Sequence, residues 1–132
     1  MIKEDFVSFE VAQLLKEKGF DEPCMAYYTT STHKGHEVHY DVYSPCNSDL
    51  NIIFCNMEFG SLPTHQIAMK WLRRVHNVNI DIVSIWNQKR FEYQVFVVTP
   101  ENAKQCYVDD KLYLGYEEAV EGALKYCLKN LI

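Results

Sequence analysis

Apolar positions along the chain change period several times, and the changes mark out the elements. Over 6–20, Val11, Leu14 and Leu15 recur at helical spacing. Ser8 stands where a cap is needed, and Val7 and Ala12 are spaced as a staple across it. Gly19 is placed to end this helix in the left-handed conformation, with Phe20 folding back on Leu15. From Cys24 the period becomes two. Residues 25–30 and 37–43 are predicted as a hairpin around a polar turn at 31–35, with Val38, Tyr40 and Val42 on one face. Pro45, Asn47 and Ser48 put 44–49 in a loop, and the β-branched run Ile52, Ile53, Phe54, Cys55 predicts a buried strand over 51–56.

The period returns to 3.6 after Pro63. Proline is tolerated before the first turn, Thr64 can cap, and Ile67, Ala68, Trp71, Leu72 and Val75 form the predicted buried stripe of a helix running to His76. Lys70, Arg73 and Arg74 lie off that stripe, in the half where the helix dipole favours cations. Alternation over 78–86 and 91–99, broken by Asn87, Gln88 and Lys89, predicts a second hairpin, and apolar residues on both faces near 95–98 make its second strand central. Pro100 ends that strand; 101–110 is polar and predicted as loop, and 111–114 as a short last strand. The final helix, 116–131, carries Ala119, Val120, Ala123, Leu124, Cys127, Leu128 and Leu131 on one stripe, with acids early and lysines late.

These elements predict an α+β fold, a single antiparallel or mixed sheet with three helices in the order α-β-β-β-α-β-β-β-α. The length of 132 residues and 48% hydrophobic content suit one core, so 1–132 is expected to be a single domain. The formal charge of −5, without a run of either sign, opposes general nucleic-acid binding. No apolar run reaches membrane-spanning length, and MIKEDF lacks the apolar segment of a signal peptide, which predicts a cytoplasmic protein. The five cysteines are odd in number and contain no CxxC pair, so they are expected to be reduced thiols.

Candidate chemistry is sparse. His33, His36 and His39 are spaced HxxHxxH and, with Cys46, contain the ligand types of a zinc site. A three-residue spacing aligns side chains on a helix, however, and on a strand it places His36 and His39 on opposite faces. Cys55 and Cys127 lie in apolar surroundings and are expected in the core, leaving Cys46 and Cys106 as the loop thiols available for nucleophilic chemistry. Glu101, Asp109 and Asp110 make an acidic loop, either a place for a cation or, as paired loop acids more often are, solvated surface. No phosphate-cradling glycine loop, GxSxG or HExxH is present, and no cofactor is expected. Lys70, Arg73, Arg74 and His76 form one local basic patch on an acidic chain, either a solvated helix face or a site for an acidic partner.

Three segments, DFVSFEVAQLLKEKGFDEP, PTHQIAMKWLRRVHN and YEEAVEGALKYCLKNLI, taken in order, resemble small uncharacterised proteins of prophages and other mobile elements of gut Bacteroidales. Pro63, Met69, Lys70, Trp71, Leu72 and His76 keep the central pattern, and Arg74 departs from it where an acid is expected. The resemblance implies a bacterial or phage cytoplasmic accessory protein and carries over no activity and no catalytic residue. With the lack of a catalytic signature and nine tyrosines, it leads to the expectation of a non-enzymatic module that binds a protein partner. The alternative is a small zinc domain or enzyme built on His33, His36 and His39 with Cys46. An uncovered sheet edge leaves self-association open.

Overall fold

The computed structural model describes residues 2–31, 35–40, 46–54, 57–108 and 111–132, without the side chains of Ser31, Ala103 and 105–108. The fold is α+β, and its residues group into two compact units, Met1–Thr64 and His65–Ile132.

In the first unit Ser8 accepts a hydrogen bond from the Val11 amide at 3.2 Å and opens helix α1 (Phe9–Glu17). The helix closes as the sequence predicts. Gly19 has φ +90°, its N–H reaches the Lys16 carbonyl, and the Phe20 N–H reaches Leu15 at 2.9 Å, a paired ending that buries Phe20 beside Leu15. Strands β1 (Ala26–Ser31) and β2 (Gly35–Tyr40) form the expected hairpin. The unexpected partner is β3 (Phe59–Ser61), which pairs with the other edge of β1 and makes the order β2-β1-β3. Close approach explains Gly60: a Cβ there would lie 2.5 Å from the ring of Tyr28, which is itself fully buried and faces Phe9 with ring centroids 4.1 Å apart.

Residues 51–53, predicted as buried strand, instead end a short helix α2 (Asn47–Ile53). Apolar character misled here, because Ile52 is 80% exposed and only Leu50 anchors the helix in the core. Position is set by polar contacts. The Asn47 side chain donates to the Phe20 carbonyl at 2.7 Å and accepts from the Ser61 amide at 2.8 Å, while the Ser48 amide donates to Asp21 at 2.7 Å. That hydrogen bond holds the Asp21 carboxyl below its ordinary pKa. The shared face expected for Val38 and Tyr40 is also largely in water, and Glu37 and His39 are the more covered residues of β2. Val42 and Cys55 lie outside the described residues.

The second unit runs α3 (His65–His76), β4 (Val78–Ile85), β5 (Arg90–Val98), β6 (Ala103–Val108) and α4 (Tyr116–Asn130). Its sheet has the order β4-β5-β6, with β5 central as expected. Polar residues hid β6 within the predicted loop, and the strand expected at 111–114 reduces to one bridge between Tyr113 and Phe91. Asn77, at φ +57°, turns the chain from α3 into β4. Pairing puts Val78, Ile80 and Ile82 on the same face as Val97, Val95 and Tyr93, and Val78, Val95 and Tyr93 are buried there. Helix α4 packs on this sheet through Ala119, Val120, Ala123, Leu124, Cys127 and Leu128, all fully buried, with Leu131 half-buried at its end. Gly122 allows the Tyr113 hydroxyl to rest on α4, since a Cβ would meet it at 2.5 Å.

The single sheet with three helices is thus corrected, among the described residues, to two three-stranded antiparallel sheets and four helices. The physical reason is that β3 occupies the free edge of β1 and β6 the free edge of β5. Each set of three strands is completed within its own unit.

Candidate functional site

Helix α3 has two unlike sides. Its inward side carries His65, Ala68, Met69, Trp71 and Leu72, and the helix packs against β4 and α4. Trp71 is 7% exposed, so the indole expected in the buried stripe is buried. The buried stripe is rotated from the predicted one, with His65 and Met69 inside and Ile67 and Val75 outside at 41% and 54% exposure. Its first residue explains the rotation. His65 Nε2 donates to Glu121 Oε1 of α4 at 2.9 Å, with both groups largely removed from water. This contact ties the start of α3 to α4 and selects which side faces in.

A buried histidine and carboxylate resemble part of a catalytic triad. Here the one side-chain hydrogen bond of the imidazole among the described residues goes to Glu121, with no hydroxyl or thiol beside it. The pair therefore holds two helices together. Sequence reasoning missed it because 56 positions separate the partners and no local pattern signals such a contact.

The outward side of α3 carries Lys70, Arg73 and Arg74, all exposed. None of the three forms an ion pair among the described residues, and the helix, HQIAMKWLRRVH, contains no acid. Ile67, Lys70 and Arg74, at i, i+3 and i+7, follow one ridge of the helix, with Val75 beside its end. His76, grouped with these cations in the sequence, turns away from them. Its ring meets Trp71 edge-on at 4.8 Å, and its buried Nε2 has no hydrogen-bond partner among the described residues. The charge setting is unequal as well. Residues 1–64 hold ten acids against four bases, whereas 65–132 hold eight acids against nine bases, so this cationic side belongs to the half without the acid excess.

The histidine candidates are dispersed. His36 lies against Phe9 with ring centroids 3.4 Å apart and its Nδ1 is 3.3 Å from Thr30 Oγ1. His39, on the opposite face of β2, stacks on Tyr27 at 4.8 Å, and its Nε2 is 3.1 Å from Thr29 Oγ1. Cys46 stands at the start of α2 beside Ser48 and Asp49. His33 lies outside the described residues, as do Asp109, Asp110 and the side chain of Cys106. Among the described residues, no three His, Cys, Asp or Glu side chains are grouped to hold a metal ion. No helix among them is long and apolar enough to cross a membrane.

A further exposed residue escaped sequence reasoning. Trp86 is 85% exposed at the turn between β4 and β5. Its signal was an aromatic side chain abutting the polar run Asn87, Gln88, Lys89. Comparison with protein-family models, with curated proteins and with solved structures finds no match to this chain.

Proposed function

We propose that the protein is a non-enzymatic binding module that engages a protein partner through the outward side of α3, as an accessory protein of a phage or mobile element. The observation that supports this most is the combination on one helix of three exposed cations, none in an ion pair among the described residues, with two exposed aliphatic side chains. Solvated helix faces ordinarily mix both charge signs, and opposite charges three or four residues apart offset one another. On α3 there is no such compensation. The cations retain their capacity for charge-assisted hydrogen bonds to an incoming anion.

The supporting role of the rest of the unit is mechanical. His65 with Glu121, and the buried Trp71, Leu72 and Ala68, fix the rotation of α3 and hold its outer side in one orientation. A preoriented surface loses less conformational entropy on binding.

Site-specific photocrosslinking tests the proposal. A photoreactive residue at position 70 is expected to capture a discrete partner in the native host, while the same residue at Gln88, exposed in the β4–β5 turn, does not. Equal capture from both positions, or none from position 70, would refute it.

A further inference from the structure

We infer that the segment received on α3 is an acidic amphipathic helix of a protein partner, laid along Ile67, Lys70, Arg74 and Val75. This inference rests on the reading of α3 as the binding surface and adds the chemistry of what binds. Three cations on a helix that contains no acid, with no ion pair among the described residues, suit an anionic partner, and the aliphatic side chains decide which kind. Ile67 and Val75 are eight residues apart, about 12 Å along the axis at a rise of about 1.5 Å per residue. A partner helix of about three turns presents apolar side chains at this separation, with carboxylates between them over Lys70 and Arg74. A phosphate backbone would satisfy the cations but would leave both aliphatics against a hydrated, charged surface, with no gain from covering them. The net charge of −5 adds long-range repulsion for a polyphosphate, whereas a short peptide interacts mainly with the local cationic side.

The experiment is an anisotropy titration of the full 132-residue chain with three labelled probes. The first is a helical peptide of about fourteen residues bearing Glu on one face and Leu at i, i+4, i+7 and i+8. The second is its isomer with the same composition scrambled to remove the apolar face, and the third is a short RNA duplex. The expected result is about tenfold tighter binding of the amphipathic peptide than of its isomer, the scale set by covering two aliphatic side chains. Replacing Ile67 and Val75 together by Ser should abolish that preference and leave the isomer's affinity unchanged. Both side chains are more than a third exposed, so this variant keeps the core intact.

Equal affinity for the two peptides overturns the inference while leaving a cationic binding surface standing. Tighter binding of the duplex overturns it in favour of a phosphate partner. An absence of binding by all three probes overturns it as well. The reading of α3 as a surface for a protein is judged separately, by crosslinking from position 70.

Discussion

Asn47 offers the sharpest test of how the first unit is held together. Its side-chain amide bridges three elements, donating to the carbonyl of Phe20 at the end of α1 and accepting from the amide of Ser61 in β3, from its own place at the head of α2. All of this happens at 8% exposure, where water cannot replace the lost partners. Asn47→Ala strands one buried acceptor and one buried donor. Each unmade bond costs about 1–3 kcal/mol, so stranding two should remove about 2–6 kcal/mol. Loss on this scale is a large part of the roughly 5–15 kcal/mol that stabilises a typical domain. Equilibrium urea unfolding followed by circular dichroism measures it as a lowered midpoint at unchanged slope. Asn47→Asp refines the test. The carboxylate still accepts from Ser61 but presents an acceptor to the Phe20 carbonyl, so its deficit should shrink as the pH falls and the acid becomes able to donate. A loss below about 0.5 kcal/mol for Asn47→Ala, the range of an ordinary surface substitution, would refute the bridging role.

Two further outcomes follow from burial. Burial pushes the Cys24 thiol up to about 11 and the Tyr28 hydroxyl up to about 12, so both stay protonated in the fold after the unfolded chain has begun to ionise, near pH 9 for the thiol and pH 10 for the phenol. The contribution of these two groups should therefore be level below pH 9 and turn to a loss of stability as the pH rises through 11, with Cys24→Ala removing the earlier part of the decline in a urea series across pH; a midpoint constant between pH 9 and pH 11 contradicts this. The two tryptophans should separate in fluorescence. Trp86→Phe leaves Trp71, with blue-shifted emission shielded from acrylamide, and Trp71→Phe leaves Trp86, with water-like emission and easy quenching. Easily quenched emission from Trp71 would contradict the packing of α3.

Helix α4 was legible in the sequence because its seven apolar residues keep one period over four turns and its charges follow the dipole, so local pattern and tertiary packing agree. The closure of α1 was legible for a related reason, since Gly19 followed by Phe20 carries its own geometry. Helix α2 was not. Its Ile52 and Ile53 have the composition of a strand, and the contacts that place the helix, from Asn47 to Phe20 and Ser61, span 27 and 14 positions. β6 was hidden because it pairs through its backbone while the adjacent polar residues Lys104 and Gln105 break any alternation. At the candidate site, the cations were found by type and spacing. Their separation from His76, and the exposure of Ile67 and Val75, depended on the rotation of α3 set by the contact of His65 with Glu121.

The division of α3 into an inner side that builds the fold and an outer side that binds can be measured directly in protein carrying Arg73→Glu and Arg74→Glu. Crosslink yield from position 70 should be lost while the urea midpoint stays that of the parent, since both arginines are exposed and make no ion pair among the described residues. Retained crosslinking, or a midpoint lowered as far as by Leu72→Ala in the buried stripe, would contradict the account.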